Sequence, residues 1–303
     1  MRTSILNYGT NVNSLEQARA ALNYGIAKEE IFDQDGKSLG DFRGIFNTST
    51  RRCLGIPKKG FTFIQPSESL EIMEAAVKAS GARWKSVAAT HGGGKLFAFA
   101  ELPETKSIVA PKRGDVVSIG FGLSDCFTGA SALSGDVFAT VLACTNGAKG
   151  RKGLFNFFKK HTPSLSEVIA GIRFNFAVAV DSAVEDFRGV VNQLDTTPMT
   201  QAEHDTFTLR LFGVADETAL RSETTPTRLQ NRVDDVRALF VRGQGNVGRS
   251  RWDSFNAVTE YLDHGAATFR ETEGVSRAEN RFTSLVSGNA ANLRAEAMEL
   301  LLN

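Results

Sequence analysis

Cysteine is scarce in this chain: Cys53, Cys126 and Cys144 are odd in number, far apart and lack a CxxC pair. This excludes a disulfide framework and a structural zinc site, and the simplest expectation is three small buried residues in a reducing compartment. Long apolar runs are missing as well. No stretch of about 18 apolar residues occurs and no apolar region follows Met1-Arg2, so neither a membrane span nor a secretory leader is expected. A cytoplasmic protein is the consequence. Metal-ligand spacing is absent around the four histidines, His91, His161, His204 and His264, so no metal is expected.

Catalytic signatures are lacking too. His91-Gly-Gly-Gly94 resembles an esterase oxyanion loop, but no G-x-S-x-G nucleophile elbow exists to use it, and a hairpin turn is the better reading. Gly243-Gln-Gly-Asn-Val-Gly248 spells a dinucleotide fingerprint. That motif needs a strand before it, whereas Val233–Val241 has helical spacing, so the segment reads as a loop between helices. Gly36-Lys37-Ser38 ends like a phosphate loop but has Ile31 where the first glycine belongs. Asp33 and Asp35 read as a turn, and Glu185-Asp186 and Asp234-Asp235 as solvated helix faces. An enzyme is not expected, nor a cofactor. The remaining enzymatic reading is a nuclease built on Asp125, Asp136 and His161.

What the chain has is uneven charge. Its 303 residues sum to +1. Residues 37–175, with 19 basic and 10 acidic side chains, are nevertheless +9, and residues 176–303, with 13 and 19, are −6. No lysine follows Lys160. A cationic middle points to an anionic partner, or to attraction between the two parts within or between subunits. The densest stretch is Lys149–His161, where Lys149, Arg151, Lys152, Lys159, Lys160 and His161 surround Phe155, Phe157 and Phe158. Cations neutralise phosphates and aromatic faces stack on bases, so this is the best local case for nucleic-acid binding; core burial of the phenylalanines is the alternative.

Patterning divides the chain at about Thr162. Ser14-Leu-Glu-Gln17 reads as a capping box opening a helix to about Asn23, Asp35-Gly36 as a turn, and Phe42–Asn47 and Gly60–Gln65 as strands. A helix opens at Pro66-Ser67 with Leu70, Met73, Ala76 and Val77 on its apolar face. The clearest hairpin is Trp84–Thr90, Gly92-Gly93-Gly94, Lys95–Glu101, and Val116–Leu123 and Val137–Ala143 are further strands. After Thr162 the period becomes helical. Ser164–Glu167 caps a helix running through Val190, Thr200–Glu203 caps a second, Arg228–Arg242 is a third, Ser250–Asp253 opens a fourth ending at Gly265, and Arg277–Val286 and Asn289–Leu302 complete the set. The expected class is α+β: an antiparallel sheet with helices, then an all-helical second half. Three parts follow: a lead-in over 1–36, a basic α+β core over 37–162 and an acidic helical domain over 163–303.

Several of these residues are also landmarks of a known family. Arg51 or Arg52 ahead of Gly55, Phe61 and Gln65-Pro66, the Gly93-Gly94 hairpin, Cys144-Thr-Asn146 and His161-Thr162 come first. Trp252…Asn256-Ala-Val-Thr-Glu-Tyr-Leu-Asp-His264, Glu279-Asn-Arg281 and Ala297–Leu302 follow. From about Asn13 to Asn303 the chain thereby resembles the phage/plasmid-like protein family classed as domain of unknown function 932. It departs at Phe61, where the family usually has tyrosine, and at Asp125–Ser131, which lacks an Asn-Ser-His-Asp-Gly pattern. The resemblance implies a mobile-element context of replication, recombination or counter-defence. The element order of the first half is also similar to the core of Rad-fifty-two-like phage single-strand annealing proteins.

These readings lead to the expectation of a single-stranded DNA binding and annealing protein of a phage or plasmid. Arg51, Arg52, Lys58, Lys59, Lys149, Arg151, Lys152, Lys159, Lys160 and His161 would contact phosphates, and Phe61 or Phe157 would stack on bases. Annealing needs a surface that holds a strand extended, not a catalytic acid, and opposite net charges in the two halves favour a ring or filament. The alternative is an interaction module whose acidic helical half blocks a host defence or replication protein.

Overall fold

Alternate residues of one strand show how the sheet is covered. Along Lys95–Glu101, Leu96, Ala98 and Ala100 join the main hydrophobic cluster, while Phe97 and Phe99 belong to a second, smaller one. Side chains alternate across a strand, so both faces of this strand are buried. The computed structural model describes residues 9–106, 108–109, 116–141, 146–149, 156–159, 182, 184–265, 271 and 274–303. The expected start at Ser164–Glu167 lies outside them.

The strands are β1 (Thr10–Asn11), β2 (Ile26–Phe32), β3 (Ser38–Asn47), β4 (Cys53–Gly55), β5 (Arg83–Thr90), β6 (Lys95–Glu101), β7 (Ile108–Val109), β8 (Val116–Cys126), β9 (Leu133–Val141), β10 (Asn146–Lys149) and β11 (Asn156–Lys159). The large sheet has the order β1-β5-β6-β8-β9-β10, with β7 added on β8 and β11 on β9. All its pairings are antiparallel. β10 and β11 follow one another along the same edge of β9, Lys149 opposite Phe138 and then Asn156 opposite Asp136. A separate sheet, β2-β3-β4, forms an arm. Since Ile26 pairs with Asn47 and Phe32 with Ser38, the lead-in and the basic middle share this arm across the boundary at residue 36.

α1 (Leu15–Ala21) starts at Ser14, whose hydroxyl accepts from the Gln17 amide; the Gln17 side chain returns to the Asn13 N–H. α2 (Pro66–Ser80) begins with a proline whose missing N–H costs nothing at that position, and the Glu68 carboxylate accepts from the Gln65 N–H at 2.6 Å. Leu70, Ile72, Met73 and Ala76 of α2 bury against the face that carries Leu96, Ala98, Phe121 and Leu123. The segment Gly60–Gln65, expected as a strand, is irregular. Lys28 Nζ donates to the Phe61 carbonyl within it at 2.8 Å and to the Lys59 carbonyl just before it at 3.1 Å.

In the second half the helices are α3 (184–196), α4 (Gln201–Leu211), α5 (Glu217–Leu220), α6 (Thr227–Arg242), α7 (Arg251–His264), α8 (Arg277–Ser287) and α9 (Asn289–Leu302). Thr200 and Ser250 form the expected capping boxes with Glu203 and Asp253. α7 is buried on every side from Trp252 to Thr259 and touches α6, α9 and β10. Helices from this half share the main cluster with the sheet, through residues such as Phe187, Phe240, Trp252 and Met298. α8 closes the second sheet face: Phe282 meets Phe97 and Phe99 edge-on, with centroids 5.0 and 6.1 Å apart. This is an α+β protein with its strands in the first half and mostly helices in the second. Among the described residues no helix is long and apolar enough to cross a membrane.

Candidate nucleic-acid interface

The arm carries the first group of expected cations. Arg51 sits in the β3–β4 turn with φ +59°, and its guanidinium grips Glu29 with two bonds of 2.7 and 3.0 Å while lying 5.5 Å from the Phe46 ring centroid. Those bonds hold the Glu29 carboxyl below the usual carboxylate range. Arg51 is therefore already neutralised and ties β2 to the turn. Arg52, Lys58 and Lys59 are exposed and make no ion pair with any described residue.

The Lys58 backbone pairs with that of Phe42 in an isolated antiparallel β-bridge, and the Lys59 N–H donates to the Asp41 carbonyl at 2.7 Å. Phe42 is 41 % exposed, and Phe32, Leu39 and Ile56 at 57, 41 and 55 % extend the apolar surface of the arm. Phe61, expected to stack, is half-buried and packs on the main core near Phe63. The exposed rings of the arm are Phe32 and Phe42. Cys53, expected to be buried, is exposed on β4, whereas Cys126 is buried. Cys144 lies outside the described residues.

The second group occupies the β10–β11 edge. Lys149 pairs with Phe138, Phe157 with Gly135 and Lys159 with Leu133. Their side chains, and Arg151, Lys152, Lys160 and His161 entirely, lie outside what the structure describes. Asp125, named for the nuclease reading, is only 1 % exposed and accepts from Ser69 Oγ at 2.6 Å and from the Cys126 N–H. Among the described residues no three or more His, Cys, Asp or Glu are grouped to hold a metal. Several amides in and beside the Gly243–Gly248 loop are spent internally: Gln244 N–H on Glu260, Val247 and Arg249 N–H on Asp253.

Four loops converge at one end of the large sheet. They are the 48–52 turn, the 91–94 turn, residues 127–132 and the lead into α8. Asn47 Nδ2 donates to the Gly92 carbonyl at 3.1 Å and the Phe127 N–H to the Gly94 carbonyl. A methyl group on Gly94 would fall 2.8 Å from Thr128 Cγ2, and one on Gly55 2.5 Å from the Thr128 oxygen. Glu279 stands three residues after the α8 cap Ser276, where a capping-box glutamate would turn back to its own cap. It reaches instead across to the sheet and accepts the His91 N–H at 2.6 Å. His91 is thereby held at φ +56°. In the linear chain His91 is a surface or hydrogen-bonded histidine of a hairpin turn. Only the positive φ marks it, and no sequence signal links residues 91 and 279.

The architecture thus defines a class: an antiparallel sheet enclosed by helices, with a small three-stranded arm at its loop end. Residues 53–286 match the family described as Domain of unknown function (DUF932). The chain belongs to that family. No curated protein and no solved structure matches it.

Proposed function

We propose that the protein binds single-stranded DNA and promotes annealing for a phage or plasmid, in cytoplasmic recombination or replication. The carrying observation is the arm, where Phe42 is exposed and its backbone bridges that of Lys58, which with Lys59 is a cation without a partner among the described residues. Alternating cation and exposed ring suits a strand whose backbone is neutralised while its bases stack. Arg51 is assigned to holding the arm together, and Arg52, Lys58, Lys59 and the Lys149–His161 segment to the phosphates. The likeness in element order to Rad-fifty-two-like annealing proteins favours the same reading, as does the family resemblance to mobile-element proteins. Ring or filament assembly would follow from contact between the +9 and −6 parts. The test is a mobility-shift series with single-stranded DNA, duplex DNA and RNA at two salt concentrations. Tight, salt-sensitive binding of the single strand is expected; affinity that is absent or indifferent to salt refutes the reading.

A second reading rests on Val241 and Val247, each 54 % exposed at the end of α6 and in the loop after it. Apolar side chains there, in the acidic half, suit a protein partner of a host defence or replication system. Recovery of a stable, stoichiometric host-protein complex with no DNA affinity would favour it.

A further inference from the structure

At the loop end of the sheet, Arg52 lies between two glycines that come from distant parts of the chain. A methyl group on Gly92 would stand 2.6 Å from Arg52 Cδ and 2.9 Å from Nη1, and one on Gly274 would stand 3.3 Å from Nη2. Both glycines have left-handed φ, +69° and +73°. The guanidinium thus rests directly on bare backbone, and any side chain at position 92 would displace it. Next to Gly92 in the chain is His91, half-exposed, its Nδ1 3.1 Å from Thr90 Oγ1 and 3.6 Å from Glu279 Oε1. Glu279 is turned inward, 15 % exposed, and its carboxylate is occupied by the His91 amide. Arg52 itself makes no ion pair with a described residue.

We infer that Arg52 and the His91 imidazole form a clamp for one nucleic-acid phosphate, seated on the bare Gly92 backbone. The planar, permanently charged guanidinium offers paired donors suited to two phosphate oxygens. His91, half-exposed and next to Gly92 in the chain, adds its imidazole. Glu279 acts through His91, as a positioning residue that fixes the strained turn from α8. This inference rests on the nucleic-acid reading and sharpens it by separating two adjacent arginines: Arg52 binds, Arg51 does not. The phosphate is either an internal phosphodiester or a terminal monoester, which share this chemistry.

The test is fluorescence anisotropy of the full chain with 3′-labelled oligo-dT, bearing either a 5′-phosphate or a 5′-hydroxyl. Arg52→Ala should weaken binding by about tenfold, the usual scale of a lost charge-assisted contact, and lower the log–log salt slope by about 0.7. Arg51→Ala, which removes the same charge, should change affinity by less than about twofold, as for a screened surface pair. His91→Asn, a residue that tolerates positive φ, should weaken binding with the melting temperature kept. A terminal-phosphate clamp makes the 5′-phosphorylated strand the tighter ligand, a preference that Arg52→Ala abolishes. An internal clamp gives equal affinities that both fall. Equal losses in Arg51→Ala and Arg52→Ala, or no loss in His91→Asn, overturn the clamp while leaving DNA binding intact. If the unaltered protein binds neither strand, the functional reading itself fails. The clamp is then judged with inorganic pyrophosphate, which must raise the melting temperature of the unaltered protein and not that of Arg52→Ala.

Discussion

Acid should destabilise this protein through one histidine. His204 of α4 is fully buried, its ring stacked on Phe240 with centroids 4.3 Å apart and planes 9° from parallel. The Val236 carbonyl, 3.3 Å from Nε2, can only accept, so Nε2 carries the proton and Nδ1 accepts from the Ser254 hydroxyl at 2.7 Å. The neutral ring is therefore satisfied at both nitrogens. Burial drives its pKa from 6.5 down to about 4. The unfolded chain takes up a proton near pH 6.5 and the native one only near 4, so stability is complete above 6.5 and is lost as the pH falls through that window. Two and a half units correspond to about 3 kcal/mol in full, of which about 2 kcal/mol is gone at pH 5. At roughly 2 °C per kcal/mol for a chain of this size, the melting temperature falls by about 4 °C from this group alone. Calorimetric or urea melts at pH 7 and pH 5 measure it, with His204→Gln as the reference that cannot titrate. The variant should be less stable at pH 7 and should lose about 2 kcal/mol less on acidification. Equal pH dependence in the two proteins would show that His204 is not held neutral by its surroundings.

A fragment ending at Thr162 should bind its own kind or precipitate, because it lacks α8 and so uncovers Phe97 and Phe99; a stable monomer in light scattering, with full DNA affinity, would contradict the shared core. Within the full chain, Phe282→Ala should cost about 3–5 kcal/mol in denaturant melts for the same reason. Asp263→Asn leaves the fully buried Arg294 guanidinium without the negative charge it meets at 2.6 Å and should cost about 3–5 kcal/mol, with no cost meaning that the pair contributes nothing. Phe42→Leu keeps apolar volume without the ring: the melting temperature should hold while single-strand affinity drops by about 1–3 kcal/mol, and unchanged affinity would remove Phe42 from the strand path. Replacing Arg151, Lys152, Lys159 and Lys160 together with alanine should reduce the salt slope by up to roughly 3 if each meets a phosphate; an unchanged slope with the circular dichroism preserved would favour the partner-binding alternative.

Local chemistry was legible in the linear chain wherever neighbours in sequence decide it. Thr200 and Ser250 start helices because a hydroxyl three residues before an acidic side chain satisfies both free amides, and that needs no tertiary contact. Pro66, the glycine turn at 92–94 and the change to helical period after the sheet follow the same logic, and the α+β class follows from them. Tertiary structure decided what depends on distant partners. Gly60–Gln65 has strand composition, yet it forms no ladder, and its Phe61 carbonyl accepts from Lys28 instead. Phe61 and Phe42 are the same residue type nineteen positions apart. One faces the core and the other solvent because of what packs beside them. Arg51 and Arg52 are adjacent and identical, but Glu29 neutralises the first while the second lies against Gly92 and Gly274 and pairs with no described carboxylate. His91 gains its partner from a helix 188 residues away in sequence. Charge and period are properties of the chain; which charge stays free is a property of the fold, because only packing brings a carboxylate, or a bare glycine, to its side.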